Sequence, residues 1–228
     1  MRVDAVIPAL NEEASLPGVL AELRGRGLRR VVVADNGSVD RTAEVARTGG
    51  AEVVHCARRG YGSACLAGLA YLAEDPPDVV VFLDADGADD PADLPALLAP
   101  LERGEAELVI GSRVRGEAEA GALSPVQRFG NWLSCALLDR LYGVHFTDLG
   151  PFRAITWPAL QRLRMADPDF GWTVEMQAKA ARRGVRSAEV PVRYRRRRAG
   201  QSKVSGNVIG SARAGAKILW TLARAWPR

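Results

Sequence analysis

Five short apolar runs recur along the first 110 residues, each closed by a polar loop, and four of those loops lead into a helical pattern. The runs are Val3–Ile7, Arg30–Ala34, Glu52–His55, Asp78–Leu83 and Leu108–Ile110. The helical patterns run through Leu16, Val19, Leu20 and Leu23, onward from Asp40, from Ser63 to Leu72, and from Ala92 to Leu101. The runs are continuous and β-branched rather than alternating, which suits a parallel sheet covered on both faces. Strand–helix alternation then demands right-handed crossovers and a doubly wound α/β sheet, mostly parallel.

The second half is less regular. Gly116–Ser124 reads as a polar loop, Val126–Leu141 as a helix, Phe152–Thr156 as a strand and Trp172–Arg183 as another helix. Val185–Tyr194 reads as a strand-pair element, Arg195–Ser202 as a basic loop and Val208–Trp226 as a terminal helix. No Pro-, Gly- or Ser-rich linker interrupts the chain, so its 228 residues are expected to form one domain. No window approaches ~20 uninterrupted apolar residues, the length a membrane-spanning helix needs. Asp4 and Pro8 break the apolar run that a signal peptide would require, and three cysteines without CxxC spacing argue against a disulfide framework or zinc site. The chain is therefore expected in the cytoplasm, free or at the inner face of the membrane.

Charge is unevenly spread. From Arg182 to Arg228 there are thirteen Lys or Arg residues against one acid, Glu189, whereas the preceding residues hold 18 basic and 26 acidic groups. An acidic body with a basic final quarter suggests a phosphate-bearing partner.

In open α/β sheets ligands bind beyond the carboxyl ends of the strands. Asn11 and Glu12, Asp35 and Asn36, Gly60 and Gly62, and Asp84 and Asp86 all fall there. Helix capping accounts for Ser15, Asp40 and Asp93. It accounts poorly for Asp84-Ala85-Asp86, whose paired carboxylates repel each other unless a divalent cation relieves the cost. Mg2+ or Mn2+ completed by ligand phosphates is the arrangement such a pair favours. Gly60-Tyr61-Gly62 lacks the third glycine of a dinucleotide fingerprint and follows the third strand, so it is either a tight turn or a ligand contact. No GxxxxGK[ST] or GxSxG occurs, and His55 and His145 are isolated. Arg193 and Arg195–Arg198 form the densest positive charge. Only Tyr194 is interleaved as a stacking platform, which argues against nucleic acid and for a loop closing on a diphosphate.

Together these stretches resemble a family-two glycosyltransferase of GT-A fold, closest to dolichyl- or polyprenyl-phosphate sugar synthases. The resemblance rests on VIPALNEE at Val6–Glu13, VVADNGSVDRT at Val32–Thr42, GYGSACLAGL at Gly60–Leu69 and FLDADGADDP at Phe82–Pro91. It continues through IGSR at Ile110–Arg113, DLGPFRAI at Asp148–Ile155 and RRAGQSKVSG at Arg197–Gly206. It implies a nucleotide-sugar-binding half over residues 1–115, an acceptor half with the basic loop over 116–206, and an amphipathic helix over 207–228. Pro8, Asn11 and Glu12 would line the nucleotide pocket, with Asp35 on the base. Asp84 and Asp86 would form the DxD motif. Arg113 and Arg128 would hold an acceptor phosphate, and Arg197, Ser202 and Lys203 would meet the donor diphosphate. Ala88 stands where relatives often have a metal-completing Gln, leaving Asp89 or water for that role.

The activity implied is inverting transfer from a nucleotide diphosphate sugar, of GDP-mannose or UDP-glucose type, to an acceptor such as polyprenyl phosphate. An anionic phosphate needs no strong base. A hydroxyl acceptor would need one, and Asp148 is the candidate. The pair of C-terminal membrane helices of some relatives is missing. The Val208–Trp226 segment, with Trp220 and Trp226 beside its apolar face and Arg213, Lys217, Arg224 and the following Arg228 elsewhere, would either lie in a membrane interface or pack on the protein. A sugar-1-phosphate nucleotidyltransferase, a haloacid-dehalogenase-type phosphatase and a non-catalytic sugar-nucleotide-binding module are the rivals.

Overall fold

The computed structural model describes residues 1–199. Ser202, Lys203 and the Val208–Trp226 segment lie outside the described residues. The first half follows the expected order: β1 (Val3–Ala9), α1 (Leu16–Leu23), β2 (Arg30–Asp35), α2 (Thr42–Thr48), β3 (Glu52–His55), α3 (Tyr61–Leu72) and β4 (Val79–Phe82). A 3-10 turn at Pro91–Asp93 leads into α4 (Leu94–Glu102), and β5 (Leu108–Ala118) follows. The second half holds α5 (Pro125–Tyr142), β6 (Arg153–Thr156), α6 (Trp157–Leu163), α7 (Trp172–Arg182) and β7 (Ser187–Tyr194).

The seven strands form one sheet in the order β3-β2-β1-β4-β6-β5-β7. The pairs β1–β2, β1–β4, β2–β3 and β5–β7 are parallel. Strand β6 lies antiparallel between β4 and β5, which makes the sheet mixed. Successive strand residues supply opposite faces. Val3, Ala5, Ile7, Val79 and Val81 pack with Leu16, Leu20, Leu94 and Leu97 on one side. Val6, Val80 and Phe82 pack with Leu72, Leu138, Trp172 and Met176 on the other. Both faces of the sheet are covered, which explains why the strand runs are continuously apolar.

Three local differences from the sequence reading stand out. Strand β5 extends to Ala118, through residues that read as a loop, because its polar end pairs with β7 across a register shift between Ser112 and Glu117. Gly116 permits this, since a Cβ there would strike the Val192 backbone. Helix α6 is an additional seven-residue element. Residues 187–194 form a single strand rather than a strand pair. Helix α5 begins at a capping box in which Gln127 N–H donates to Ser124 Oγ and Ser124 N–H to Gln127 Oε1, and ends at Gly143 in the left-handed region. Only Ser134, Cys135 and Leu138 of its 18 residues are buried. Among the described residues no helix is long and apolar enough to cross a membrane.

Candidate active site

The carboxyl ends of β1 and β4 open into a cavity of about 750 Å³. Pro8 and Glu12 line it from the β1 end, Asn36 from β2, Gly60 and Tyr61 from the start of α3, and Asp84 and Asp86 from the β4 end. Arg113 of β5 forms one wall and Tyr194–Arg197, following β7, form the roof. The roof is tied directly to the β4 loop: Arg195 N–H donates to Ala88 O at 2.7 Å and Arg198 N–H to Asp86 O at 3.0 Å. Gly87 makes that approach possible, with φ at +75° and no room for a Cβ beside the Arg198 side chain.

Each carboxylate has a distinct partner. Tyr61 Oη donates to Asp84 Oδ1 at 3.1 Å, and Ala88 N–H donates to Asp86 Oδ1 at 2.9 Å. The other Asp86 oxygen receives Arg197 Nη2 at 2.8 Å, while Arg197 Nη1 reaches Glu12 Oε1 at 3.2 Å. Asp89 is 2% exposed and stands behind the cavity, accepting the Asp84 N–H at 3.1 Å through Oδ2. Burial, and then the nearby Asp86, push Asp84 up to about 7, although Tyr61 and Arg197 draw it partly back. Burial, followed by Asp84 and Asp86, also holds Asp89 well above the usual carboxylate range. Beneath them Arg153 is fully buried and donates to the main-chain carbonyls Gly150 O, Leu149 O and Thr173 O. Burial draws its guanidinium down to about 10, partly offset by Tyr61 and Asp148.

A second groove of about 740 Å³ adjoins the first, and Arg113 and Gln127 line both. Arg128, Asn131 and Trp132 of α5 form one side, facing Val114 and Phe146. Arg113 is fixed at the junction by Asp148, which accepts from its N–H at 2.7 Å, its Nε at 2.8 Å and its Nη2 at 2.6 Å. It also lies 4.9 Å over the Tyr194 ring. The Asp148 main-chain N–H is itself held by Glu189.

Residues 4–162 match the family model described as glycosyl transferase family 2. The chain belongs to that family. It is 43% identical over 92% of its length to an uncharacterized glycosyltransferase of Mycobacterium tuberculosis, which it covers to 92%. It is 34% identical over 99% of its length to the undecaprenyl-phosphate mannosyltransferase of Micrococcus luteus, which it covers to 96%. Among solved structures, glucosyl-3-phosphoglycerate synthase from Mycobacterium tuberculosis with Mn2+ and uridine-diphosphate-glucose superposes with a TM-score of 0.75 at 26% identity, over 100% of this chain and 80% of the other. The protein is therefore a glycosyltransferase of GT-A fold that resembles the polyprenyl-phosphate sugar synthases. The nucleotidyltransferase and phosphatase readings fall away.

Within this glycosyltransferase the predicted residues separate into two sets. Pro8, Glu12, Asp84, Asp86, Arg113 and Arg197 line the cavity, and Arg128 lines the groove beside it. Asn11 and Asp35 stand outside its lining. Asn11 adopts φ +53° and accepts the Val39 N–H, while Asp35 accepts the Ser38 N–H and pairs with His55 Nδ1 at 3.2 Å. One expectation is corrected. Asp148 is fully buried and bound two-pronged to Arg113, so it anchors a cation and is not placed to serve as a base. Asp89 is 2% exposed and lies outside the cavity lining, close to Asp84 and Asp86. A cation here would rest on Asp84, Asp86 and its ligand's oxygens. The basic segment is not an open phosphate patch either. Arg193 pairs with Asp90 and Asp93, Arg195 with Glu22 and Asp90, Arg197 with Glu12 and Asp86, and Arg198 with Glu22. Tyr61 and Arg153 escaped the sequence reading, since an aromatic beside a glycine turn and an arginine inside a strand both read as structural.

Proposed function

We propose that the protein transfers a sugar from a nucleotide diphosphate sugar to a polyprenyl phosphate, with inversion, at the junction of the two cavities. The observation that carries this reading is the continuity between a carboxylate-lined cavity and an apolar groove, with Arg113 at their meeting point and Arg128 along the groove. The likeness to an undecaprenyl-phosphate mannosyltransferase supports the same acceptor class. So does the outer face of α5, where Val126, Phe129 and Trp132 are each at least 60% exposed beside the groove. An exposed apolar face of this kind suits a protein that meets its acceptor at a membrane surface. Residues 207–228 would add a second, peripheral contact on the cytoplasmic side.

The hard oxygen donors Asp84 and Asp86 fit Mg2+ or Mn2+, and the structural relative crystallised with Mn2+ and a uridine diphosphate sugar supports that choice. When bound, the cation would supply Lewis-acid stabilisation of the departing diphosphate. Pro8 and Glu12 border the donor, and Arg197 offers a positive charge to the leaving group. Arg113, kept charged by Asp148, orients the acceptor phosphate for direct displacement at the anomeric carbon. The acceptor is already anionic near neutral pH, which matches a site whose one suspected base is committed to Arg113.

A transfer assay tests the proposal. The full chain is incubated with Mn2+, each of GDP-mannose and UDP-glucose, and either undecaprenyl phosphate or 3-phosphoglycerate. Lipid-linked sugar is the expected product from one donor. Sugar appearing only on 3-phosphoglycerate would replace the lipid acceptor with a soluble one.

A further inference from the structure

We infer that Arg197 is a resident cation of the donor site: it holds Asp86 and Glu12 in the donor-free protein and blocks divalent metal from binding alone. The inference rests on the reading of Asp86 as a metal ligand. Arg197 Nη2 lies 2.8 Å from Asp86 Oδ2, the oxygen not bound to the Ala88 N–H, and its other terminal nitrogen lies 3.2 Å from Glu12 Oε1. Both carboxylates are less than a tenth exposed, so neither can rely on water for its counter-charge.

The backbone makes this pairing a property of the fold rather than of one side chain. The Arg195 and Arg198 amides bind the β4 loop on either side of Arg197, and Tyr194 bridges Asp89. Arg195 and Arg198 are in turn held by Glu22 on α1. The guanidinium is thereby presented to Asp86 whenever the segment is docked.

A metal ion arriving alone must displace a charge-assisted bond and deprive a half-buried guanidinium of its Asp86 partner. A metal arriving with a diphosphate meets no such penalty, because the released guanidinium gains phosphate oxygens. The donor site is therefore expected to accept metal and diphosphate together. Glu12 retains one end of Arg197 during the exchange, which assigns it a positioning part and not merely a pocket wall.

Equilibrium dialysis of Mn2+ against the full chain, with and without inorganic pyrophosphate and with a protein-free control that subtracts Mn2+–pyrophosphate complexes in solution, tests this without turnover. In the wild type, pyrophosphate is expected to raise Mn2+ affinity by about tenfold or more. In Arg197→Met, Mn2+ alone is expected to bind about tenfold more tightly than in the wild type, and the pyrophosphate gain to shrink. Arg197→Lys, which keeps the charge, is expected to stay close to the wild type and guards against a misfolded Met variant. Unchanged Mn2+-alone affinity in Arg197→Met, or no pyrophosphate gain in the wild type, overturns the inference. Asp86→Asn separates the two readings. If it abolishes Mn2+ binding while Arg197→Met changes nothing, only the resident-cation idea fails. If Asp86→Asn leaves Mn2+ binding intact in both backgrounds, the metal assignment fails with it.

Discussion

At the scale of single residues, Asp86 and the two groove arginines make different demands on the molecule. Asp86 contacts the Ala88 amide and Arg197. Asp86→Ala is expected to lower kcat by about 10²–10³-fold or more, because it removes transition-state electrostatics, and to lower the thermal midpoint less than Arg113→Ala does, because Arg197 is part-exposed and keeps Glu12 whereas Asp148 is fully buried. Steady-state rates and a melting curve on the same preparation check both halves. Arg113→Ala and Arg128→Ala should both weaken use of a phosphate acceptor, by about 1.5–3 kcal/mol each. They part company in stability. Arg113→Ala also strips the partner from fully buried Asp148, which should cost about 3–5 kcal/mol of folding free energy, whereas Arg128 has no such dependant among the described residues. Equal melting temperatures for the two variants would contradict the anchoring arrangement.

At the scale of elements, the outward face of α5 and the start of β1 carry the next expectations. Phe129 and Trp132 stack with ring centroids 5.8 Å apart and are both exposed. Replacing both with serine should reduce co-sedimentation with anionic vesicles and raise the Michaelis constant for a lipid acceptor, with donor affinity unchanged. In β1, Asp4 is fully buried. Burial alone would raise its pKa, but Arg29 and Arg30 outweigh that and hold the carboxyl below its ordinary 3.8. A depressed folded value means that the stabilisation is complete above the unfolded pKa and is lost as pH falls through the folded one. Asp4→Asn should therefore cost about 1–3 kcal/mol at neutral pH, and progressively less than that below about pH 4, read as urea midpoints across the range. The same elements show what a sequence can reveal. Strands β1, β2 and β4 announce themselves because both of their faces are largely buried, so their apolar runs are nearly continuous, with Asp4 the buried exception in β1. The far end of β5 (Arg113–Ala118) carries Arg, Gly and Glu, and its pairing to β7 depends on a partner seventy-odd residues away that local composition cannot signal. Helix α6 is short and starts with Trp157-Pro158, so it offers too few turns for a period to emerge. For the site, the DxD pair was legible from charge repulsion, whereas the commitment of Asp148 to Arg113 depends on a turn brought against β5 from 35 residues away.

At the scale of the whole molecule, the donor cavity is assembled from the ends of β1 and β4, the start of α3, and the segment after β7, so an occupied cavity ties the first half of the described chain to its end. A ligand that binds only the folded form adds RT ln(1 + [L]/Kd) to stability, about 2.7 kcal/mol at a hundredfold excess over Kd. For a chain of this size that should raise the melting temperature by about 5–10 °C. A fluorescence melt with Mn2+ and a panel of sugar nucleotides should show one base strongly preferred. A flat response across the panel would mean that the cavity is not the donor site. The insertion of β6 between β4 and β5 has a further consequence, for biosynthesis. The edge of β4 is complete at Phe82, but the strand that covers it starts only at Arg153. At the usual ribosomal pace of about 5–20 residues per second, roughly 70 residues of synthesis leave that hydrophobic edge open for several seconds. The nascent chain therefore cannot close its central sheet vectorially from the amino end. During that interval the Val79–Phe82 edge is the natural point for a chaperone to cover, or for two nascent chains to aggregate.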